Sequence, residues 1–226
     1  MPLERSKKGM SFLMKNIIIM GIGRAGKTTL SEMIKQKYKE YNLIHSDSIK
    51  WALIDAAGKT EYYEKNIKTQ KEWEHGEYFQ KVLLNFFNSC IEEDINKHGT
   101  ILESGQLTPK YVSEMVDLKN TIVICLAHGN LKKEDIVNLC RENDIGKDYK
   151  TDIIDNKEKK TTISLVKDWT YDITDEELEA HAEKWAEMNE LLKVECPKYG
   201  IEYIDTSKNR KEILNNILQK LEKEMK

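Results

Sequence analysis

Five short apolar runs, separated by longer stretches of mixed polarity, set the pattern of this chain. Each run carries few polar positions, as expected for strands that are buried on both faces of a parallel sheet. The runs lie at Asn16–Met20, Asn42–His45, Thr100–Glu103, Thr121–Leu126 and Ile201–Asp205. Strands that alternate with helices favour right-handed crossovers, so the pattern predicts an α/β protein built as a three-layer α/β/α sandwich.

Apolar residues at helical spacing fill most of the chain between these runs. They predict helices over Thr28–Tyr41, Gly76–Lys97 and Asn209–Met225. The capping box Thr174-Asp175-Glu176-Glu177 predicts where a further helix begins, before the last strand. No internal repeat and no low-complexity linker interrupts the order of elements, which indicates one domain over residues 15–226, with residues 1–14 as a disordered extension.

Two segments do not follow the simple alternation. Residues 48–75 are polar and aromatic-rich, and we expect them to be helical; residues 141–172 are polar, lysine-rich and irregular. Open α/β sheets bind ligands beyond the carboxyl ends of their strands, and both segments follow or adjoin such ends. We therefore expect a ligand-covering insertion at 48–75 and a lid-like segment at 141–172.

The first run leads directly into Gly21-Ile22-Gly23-Arg24-Ala25-Gly26-Lys27-Thr28, followed by a helical pattern. A strand, a Gly-x-x-x-x-Gly-Lys-Thr loop and a helix together form a phosphate-binding P-loop. Its backbone N–H groups and the helix N-terminus attract a polyphosphate, Lys27 reaches the terminal phosphates, and the Thr28 hydroxyl ligates Mg²⁺. The expected phosphate contacts are Gly21, Ile22, Gly23, Arg24, Ala25, Gly26, Lys27, Thr28 and Thr29.

Charge and composition narrow the classes of partner. The formal net charge is −3, which gives no general attraction to nucleic acid or to an acidic membrane surface. No apolar run reaches the length of a membrane span. The four cysteines lack metal-ligand spacing and indicate reduced thiols, so we expect a cytoplasmic protein. The long amphipathic helices are compatible with packing within one chain or across a homodimer, and the sequence does not decide between the two.

The P-loop and the order of elements resemble the adenylate-kinase-like group of P-loop small-molecule kinases. The match covers most of Lys15 to Lys226 as an order of elements, and the P-loop is its specific motif. The resemblance implies a parallel five-stranded sheet in the order 2-3-1-4-5, with a helical acceptor-binding insertion and a lid. It also implies ATP as phosphoryl donor, Mg²⁺ and a small-molecule acceptor. The chain lacks the Asp-Gly-Phe-Pro-Arg stretch of adenylate kinases, which argues against AMP as the acceptor.

The resemblance also implies roles for four residues outside the P-loop. Asp47, just past the second strand, would orient the acceptor or hold Mg²⁺-bound water; the alternative, a helix N-cap, is compatible with that role. Glu103 would be a second acidic residue at the magnesium, or an ordinary strand-end carboxylate. Arg141 would neutralise the transferring phosphoryl group from the lid, or simply end a helix. Arg210 would contact the adenine, or be an exposed arginine beside a helix cap.

Three hypotheses for function follow. The first is an ATP-dependent phosphotransferase acting on a hydroxyl or phosphate of a small molecule. The second is a P-loop ATPase or regulatory nucleotide-binding protein; the chain has no Asn-Lys-x-Asp motif for guanine, and its third strand ends in Glu103-Ser104 rather than Asp-Glu. The third is a polynucleotide 5′-hydroxyl kinase, against which the negative charge and the lack of a basic stripe argue.

Overall fold

The structure, a computed structural model, describes residues 14–56, 76–94, 98–142, 150–154, 160–164 and 173–224. Its strands are β1 (Asn16–Gly21), β2 (Asn42–His45), β3 (Thr100–Ser104), β4 (Thr121–Ala127), β5 (Lys150–Ile154), β6 (Lys160–Ser164) and β7 (Glu202–Asp205). Its helices are α1 (Lys27–Lys37), α2 (Ser46–Ala56), α3 (Glu77–Glu93), α4 (Pro109–Met115), α5 (Lys133–Glu142), α6 (Asp175–Lys198) and α7 (Arg210–Glu224).

A five-stranded parallel sheet forms the centre of the protein. Its strand order is β2-β3-β1-β4-β7, which is 2-3-1-4-5 when only the strands of this sheet are counted. The predicted order and the three-layer α/β/α class are therefore confirmed. The first strand lies in the middle, with Ile18 paired to Leu102 on one side and to Val123 on the other.

Helices cover both faces of this sheet and bury its central strand. The helices α1 and α7 contact each other, while α3, α4 and α6 form a second connected layer. Right-handed crossovers place these two groups on opposite faces, because α1 leads towards one edge of the sheet and the later connections lead towards the other. The side chains of Ile17, Ile18, Ile19 and Met20 are fully buried between the layers.

The helix after the P-loop ends earlier than the periodicity predicted. It ends at Lys37 rather than Tyr41, and Tyr38 is its C-cap. The reason is Tyr41, whose ring is fully buried and whose hydroxyl donates to the Lys15 carbonyl oxygen at 2.8 Å. This contact pulls the chain out of the helix and into β2.

The segment expected to be irregular contains regular structure. Within residues 141–172, β5 and β6 pair as an antiparallel hairpin in which Asp152 lies opposite Thr162. The strands KTDII and KTTIS are rich in β-branched residues, which favour extended backbone. The short helix α4 was also not predicted. Pro109 occupies its first turn, where the N–H group that proline lacks would have no partner within the helix.

The helix over residues 46–56 agrees with the helical prediction for the start of the 48–75 insertion, and the rest of that insertion lies outside the described residues. The capping box at Thr174 is confirmed, since both of its hydrogen bonds are present. None of the described helices is long and apolar enough to cross a membrane.

Candidate active site

The P-loop runs from the end of β1, in the middle of the sheet, to the first turn of α1. Gly26 is the N-cap of α1 with φ 95°, and Arg24 also has a left-handed backbone, with φ 62°. Left-handed residues that alternate with right-handed ones turn successive backbone N–H groups towards one side, which forms a nest for an anion. The hydroxyl-bearing residues Thr28 and Thr29 are exposed at the start of the helix.

The side chain of Lys27 lies over this loop. Its Nζ donates to the Ile22 carbonyl oxygen at 2.7 Å, and the residue is buried. Burial lowers the pKa of Lys27, and the carboxylates of Glu103 and Asp47 oppose this shift because they stabilise the ammonium. The ammonium is thus held at the loop with two acidic groups near it.

Those two carboxylates come from the carboxyl ends of neighbouring strands. Asp47 follows β2 and lies in the first turn of α2, where its side chain is 64% exposed; Glu103 lies near the end of β3, where its side chain is 11% exposed. Asp47 is therefore open to a ligand, whereas Glu103 is mostly buried.

Glu103 has a close partner in His45, at the end of β2. Its carboxylate lies 3.0 Å from His45 Nδ1, and Glu32 of α1 lies 3.7 Å from the other ring nitrogen. The hydrogen bond to Glu103 raises the pKa of His45. Glu103, one of the predicted magnesium ligands, therefore shares a hydrogen bond with His45, an ionisable residue that the sequence pattern did not identify as functional.

The carboxylate of Asp47 accepts a hydrogen bond from Gln106, a residue that the sequence pattern did not identify. The Gln106 Nε2 donates to Asp47 Oδ1 at 3.0 Å, while its Oε1 accepts from the hydroxyls of Ser46 at 2.6 Å and Ser104 at 3.2 Å. The orientation of the amide follows from chemistry, because an ionised carboxylate only accepts and must face the amide N–H. This network joins the ends of β2 and β3.

Lys50 is the second partner of Asp47. Its Nζ lies 3.3 Å from Asp47 Oδ1, and its side chain is only 12% exposed. The amide of Gln106 and the ammonium of Lys50 both contact the same oxygen, Oδ1, so the carboxylate keeps its position while most of its side chain stays exposed to solvent.

Arg210 contacts the backbone of the P-loop, while its predicted contact with an adenine stays a prediction. Its Nη1 donates to the Arg24 carbonyl oxygen at 3.0 Å. Two further side chains that sequence reasoning missed reach the same loop. His128 Nε2 lies 3.0 Å from the Gly23 carbonyl oxygen, and Thr206 Oγ1 donates to the Ala25 carbonyl oxygen at 2.9 Å.

Arg141 lies at the end of α5, where its Nη2 donates to Asp175 Oδ1 at 2.9 Å. Both side chains are exposed, and this ion pair joins α5 to the first turn of α6. The helix-end interpretation of Arg141 therefore has a structural basis, while its role in a lid stays a prediction. Most of the 141–172 segment, other than Arg141, Glu142 and the two hairpin strands, lies outside the described residues.

The residues predicted to bind magnesium carry oxygen atoms, the ligands that Mg²⁺ prefers. The Thr28 hydroxyl, Asp47 and Glu103 supply one neutral and two anionic oxygen donors, which suit Mg²⁺. Among the described residues no group of three or more His, Cys, Asp or Glu could hold a metal ion. Mg²⁺ usually takes one or two carboxylates from the protein and completes its shell with phosphates and water, and the donor set here matches that pattern.

Comparison with known proteins gives only distant structural similarities. A shikimate kinase from Aquifex aeolicus has 15% identity and a TM-score of 0.43, with 92% of this chain and 96% of that chain covered. A deoxyadenosine kinase from M. mycoides with bound dATP has 16% identity and a TM-score of 0.45, with 92% and 99% covered. A gluconokinase from Sinorhizobium meliloti has 11% identity and a TM-score of 0.47, with 94% of each chain covered.

No protein-family model matches the chain, and the comparison with curated proteins finds no match. Similarities at this level do not assign a family or an activity. We therefore infer the function from the residues of this chain.

Proposed function

We propose that this protein is an ATP-dependent phosphotransferase that moves the γ-phosphoryl group of ATP to a hydroxyl or phosphate group of a small molecule. The observation that carries the proposal is the placement of Lys27 with Asp47 and Glu103. A buried ammonium lies over a P-loop, and two carboxylates at the ends of adjacent strands act on it electrostatically. Such carboxylates can hold Mg²⁺ at the phosphates, and an exposed one such as Asp47 can in addition position an acceptor for phosphoryl transfer.

Each residue has a task that follows from its surroundings. The P-loop N–H groups and Lys27 bind the β- and γ-phosphates, for which Lys27 exchanges its bond to the Ile22 carbonyl. Burial of the ammonium strengthens its attraction to phosphate, because water screens it poorly there. Magnesium, held through Thr28, Asp47 and Glu103, would supply further neutralisation of phosphate charge.

Asp47 is the best placed residue to act on the acceptor. Its side chain is largely exposed, and Gln106 and Lys50 both hold its Oδ1, so the carboxylate keeps a fixed orientation towards a ligand. A carboxylate in this position can accept the hydrogen bond of an attacking hydroxyl and align it with the phosphorus. We place Arg141 as the residue that approaches the transferring group from the lid, and the adenine beside the loop of Arg210.

A phosphoryl-transfer screen tests the proposal. Purified protein with Mg²⁺ and γ-labelled ATP is incubated with pooled nucleosides, nucleotides, sugars and antibiotics, and labelled products are separated from free phosphate. Lys27→Ala should remove nearly all labelled product. The matched control is Lys35→Ala, which removes another α1 lysine that also donates to a backbone carbonyl, that of Lys39 at 2.7 Å, and should leave transfer intact.

The outcomes separate the functional classes. A labelled small molecule that is absent with Lys27→Ala supports the proposal and identifies the acceptor. Label found only as free phosphate, at a rate that no acceptor pool changes, would instead indicate an ATPase. Transfer to a polynucleotide 5′ end but to no small molecule would indicate the third hypothesis.

A further inference from the structure

The carbonyl oxygens of Gly23, Arg24 and Ala25 are three consecutive acceptors on the P-loop. Each of them receives a hydrogen bond from a different side chain outside the loop. The donors are His128 after β4, Thr206 after β7, and Arg210 at the start of α7, more than 100 residues away in sequence. We call these three side chains the carbonyl clamp.

We propose that the carbonyl clamp positions the P-loop for phosphate, so that His128 and Thr206 determine the affinity of the protein for nucleoside triphosphates without touching them. This inference rests on the proposed function, because it assumes that the P-loop binds the phosphates of ATP.

The geometry of the peptide bond connects the clamp to the phosphate site. None of the described peptide bonds is cis, and in a trans peptide the carbonyl and the next residue's N–H point in opposite directions. When the clamp holds the carbonyls of Gly23, Arg24 and Ala25 outward, the N–H groups of Arg24, Ala25 and Gly26 point to the other side of the loop. Those N–H groups are the ones that an anion nest requires.

The loop also needs an external hold because of its backbone conformation. Arg24 has φ 62°, in the left-handed region that residues other than glycine adopt only with backbone strain. Arg210 donates to the carbonyl of this same residue. The clamp therefore acts on the part of the loop that would otherwise relax to a different conformation before phosphate binds.

The two uncharged members of the clamp are themselves rigidly placed. Thr206 is buried, and its single hydroxyl proton is shared between the carbonyl oxygens of Ala25 at 2.9 Å and of Ala127, at the end of β4, at 3.0 Å. His128 is fully buried, and its backbone N–H donates to Asn189 Oδ1 at 2.9 Å. Because a carbonyl only accepts, the His128 ring must carry its proton on Nε2 when it contacts Gly23. Thr206 is thus held by the end of β4 and His128 by α6, so neither donor depends on the loop for its position.

Two pairs of variants test the clamp through ATP binding with Mg²⁺, measured by calorimetry. Thr206→Val keeps the shape and removes the hydroxyl, while Thr206→Ser keeps the hydroxyl. His128→Leu removes the donor, while His128→Gln offers an N–H in place of Nε2. Loss of one such hydrogen bond should raise the dissociation constant about three- to tenfold, and the conservative partner should recover most of it. Ser113→Ala, which removes an exposed hydroxyl bond to the Lys110 carbonyl, is the control that should change nothing.

Inorganic triphosphate serves as a second probe, because it reaches the nest without an adenine. The clamp predicts that both ligands lose affinity by a similar factor in Thr206→Val and in His128→Leu. Affinity within twofold of the wild type in both variants would overturn the inference, as would Thr206→Ser losing as much as Thr206→Val. If the wild type itself fails to bind ATP with Mg²⁺, the proposed function fails, which is a different result. Should one variant not fold, the pair at the other position decides.

Discussion

Replacing Gly23 with alanine tests whether α6 holds the P-loop from outside. A Cβ built at Gly23 would lie 2.3 Å from Trp185 Cε2 and 2.5 Å from Cζ2. Carbon atoms do not approach this closely, so either the indole or the loop must move. The backbone of Gly23 lies outside the left-handed region, and alanine therefore adds no backbone strain of its own.

The size of the effect follows from how firmly the indole is held. Trp185 packs against both the main core and a smaller core formed by α5 and α6, and the ring of His181 lies 5.7 Å from it. Forcing an extra methyl group into packed surroundings costs about 1–3 kcal/mol. We expect Gly23→Ala to lower the free energy of unfolding by about 2 kcal/mol and to weaken ATP binding, because the loop shifts.

A double-mutant cycle isolates this contact. The free energy of unfolding is measured by urea denaturation, followed by circular dichroism, for the wild type, Gly23→Ala, Trp185→Leu and the double variant. In the Trp185→Leu background, where the indole atoms are gone, Gly23→Ala should cost less than about 0.5 kcal/mol. An equal cost in both backgrounds would refute the contact between this helix and the loop as the cause.

Three further predictions concern groups around the site. With the acceptor found by the labelled screen, Gln106→Ala should lower kcat about tenfold. In an Asp47→Asn background the same change should lower kcat by less than about twofold, because both substitutions remove the same interaction. Additive losses would contradict this. The hydrogen bond to Glu103 raises the pKa of His45, which adds stability below the unfolded-state pKa of about 6.5. This stability is lost as the pH rises through the folded-state pKa, so His45→Gln should flatten the decline that urea titrations measure between about pH 6 and pH 9. Burial lowers the pKa of His128 to about 4, so stability should fall by about 3 kcal/mol as pH drops from about 6.5 to 4, and His128→Gln should abolish that fall in the same titrations.

The sheet could be predicted from the sequence because its strands are short and strongly apolar. Ile17 to Met20 has no polar position and is fully buried, so the pattern and the structure agree. The P-loop could be predicted because its glycines, Lys27 and Thr28 stand next to one another in the chain. Both signals are local, and each carries its own physical explanation.

The residues that support the site could not be predicted in the same way. His128, Thr206 and Gln106 contact partners 105, 181 and 59 residues away, and most of these partners are backbone carbonyls, which every residue has. A lone histidine, threonine or glutamine has no spacing that distinguishes such a role. Only the strand order, which brings the ends of β2, β3, β4 and β7 beside the P-loop, makes these contacts possible.

Phosphorus NMR of one reaction mixture tests the central claim most directly. Wild-type protein is mixed with ATP, Mg²⁺ and the acceptor pool, and ³¹P spectra follow every phosphorus species at once. We predict a new phosphoester or phosphoanhydride resonance that grows in step with ADP and that is absent with Lys27→Ala. ADP that grows only with inorganic phosphate across all acceptor pools, or ATP that remains unchanged, would contradict it.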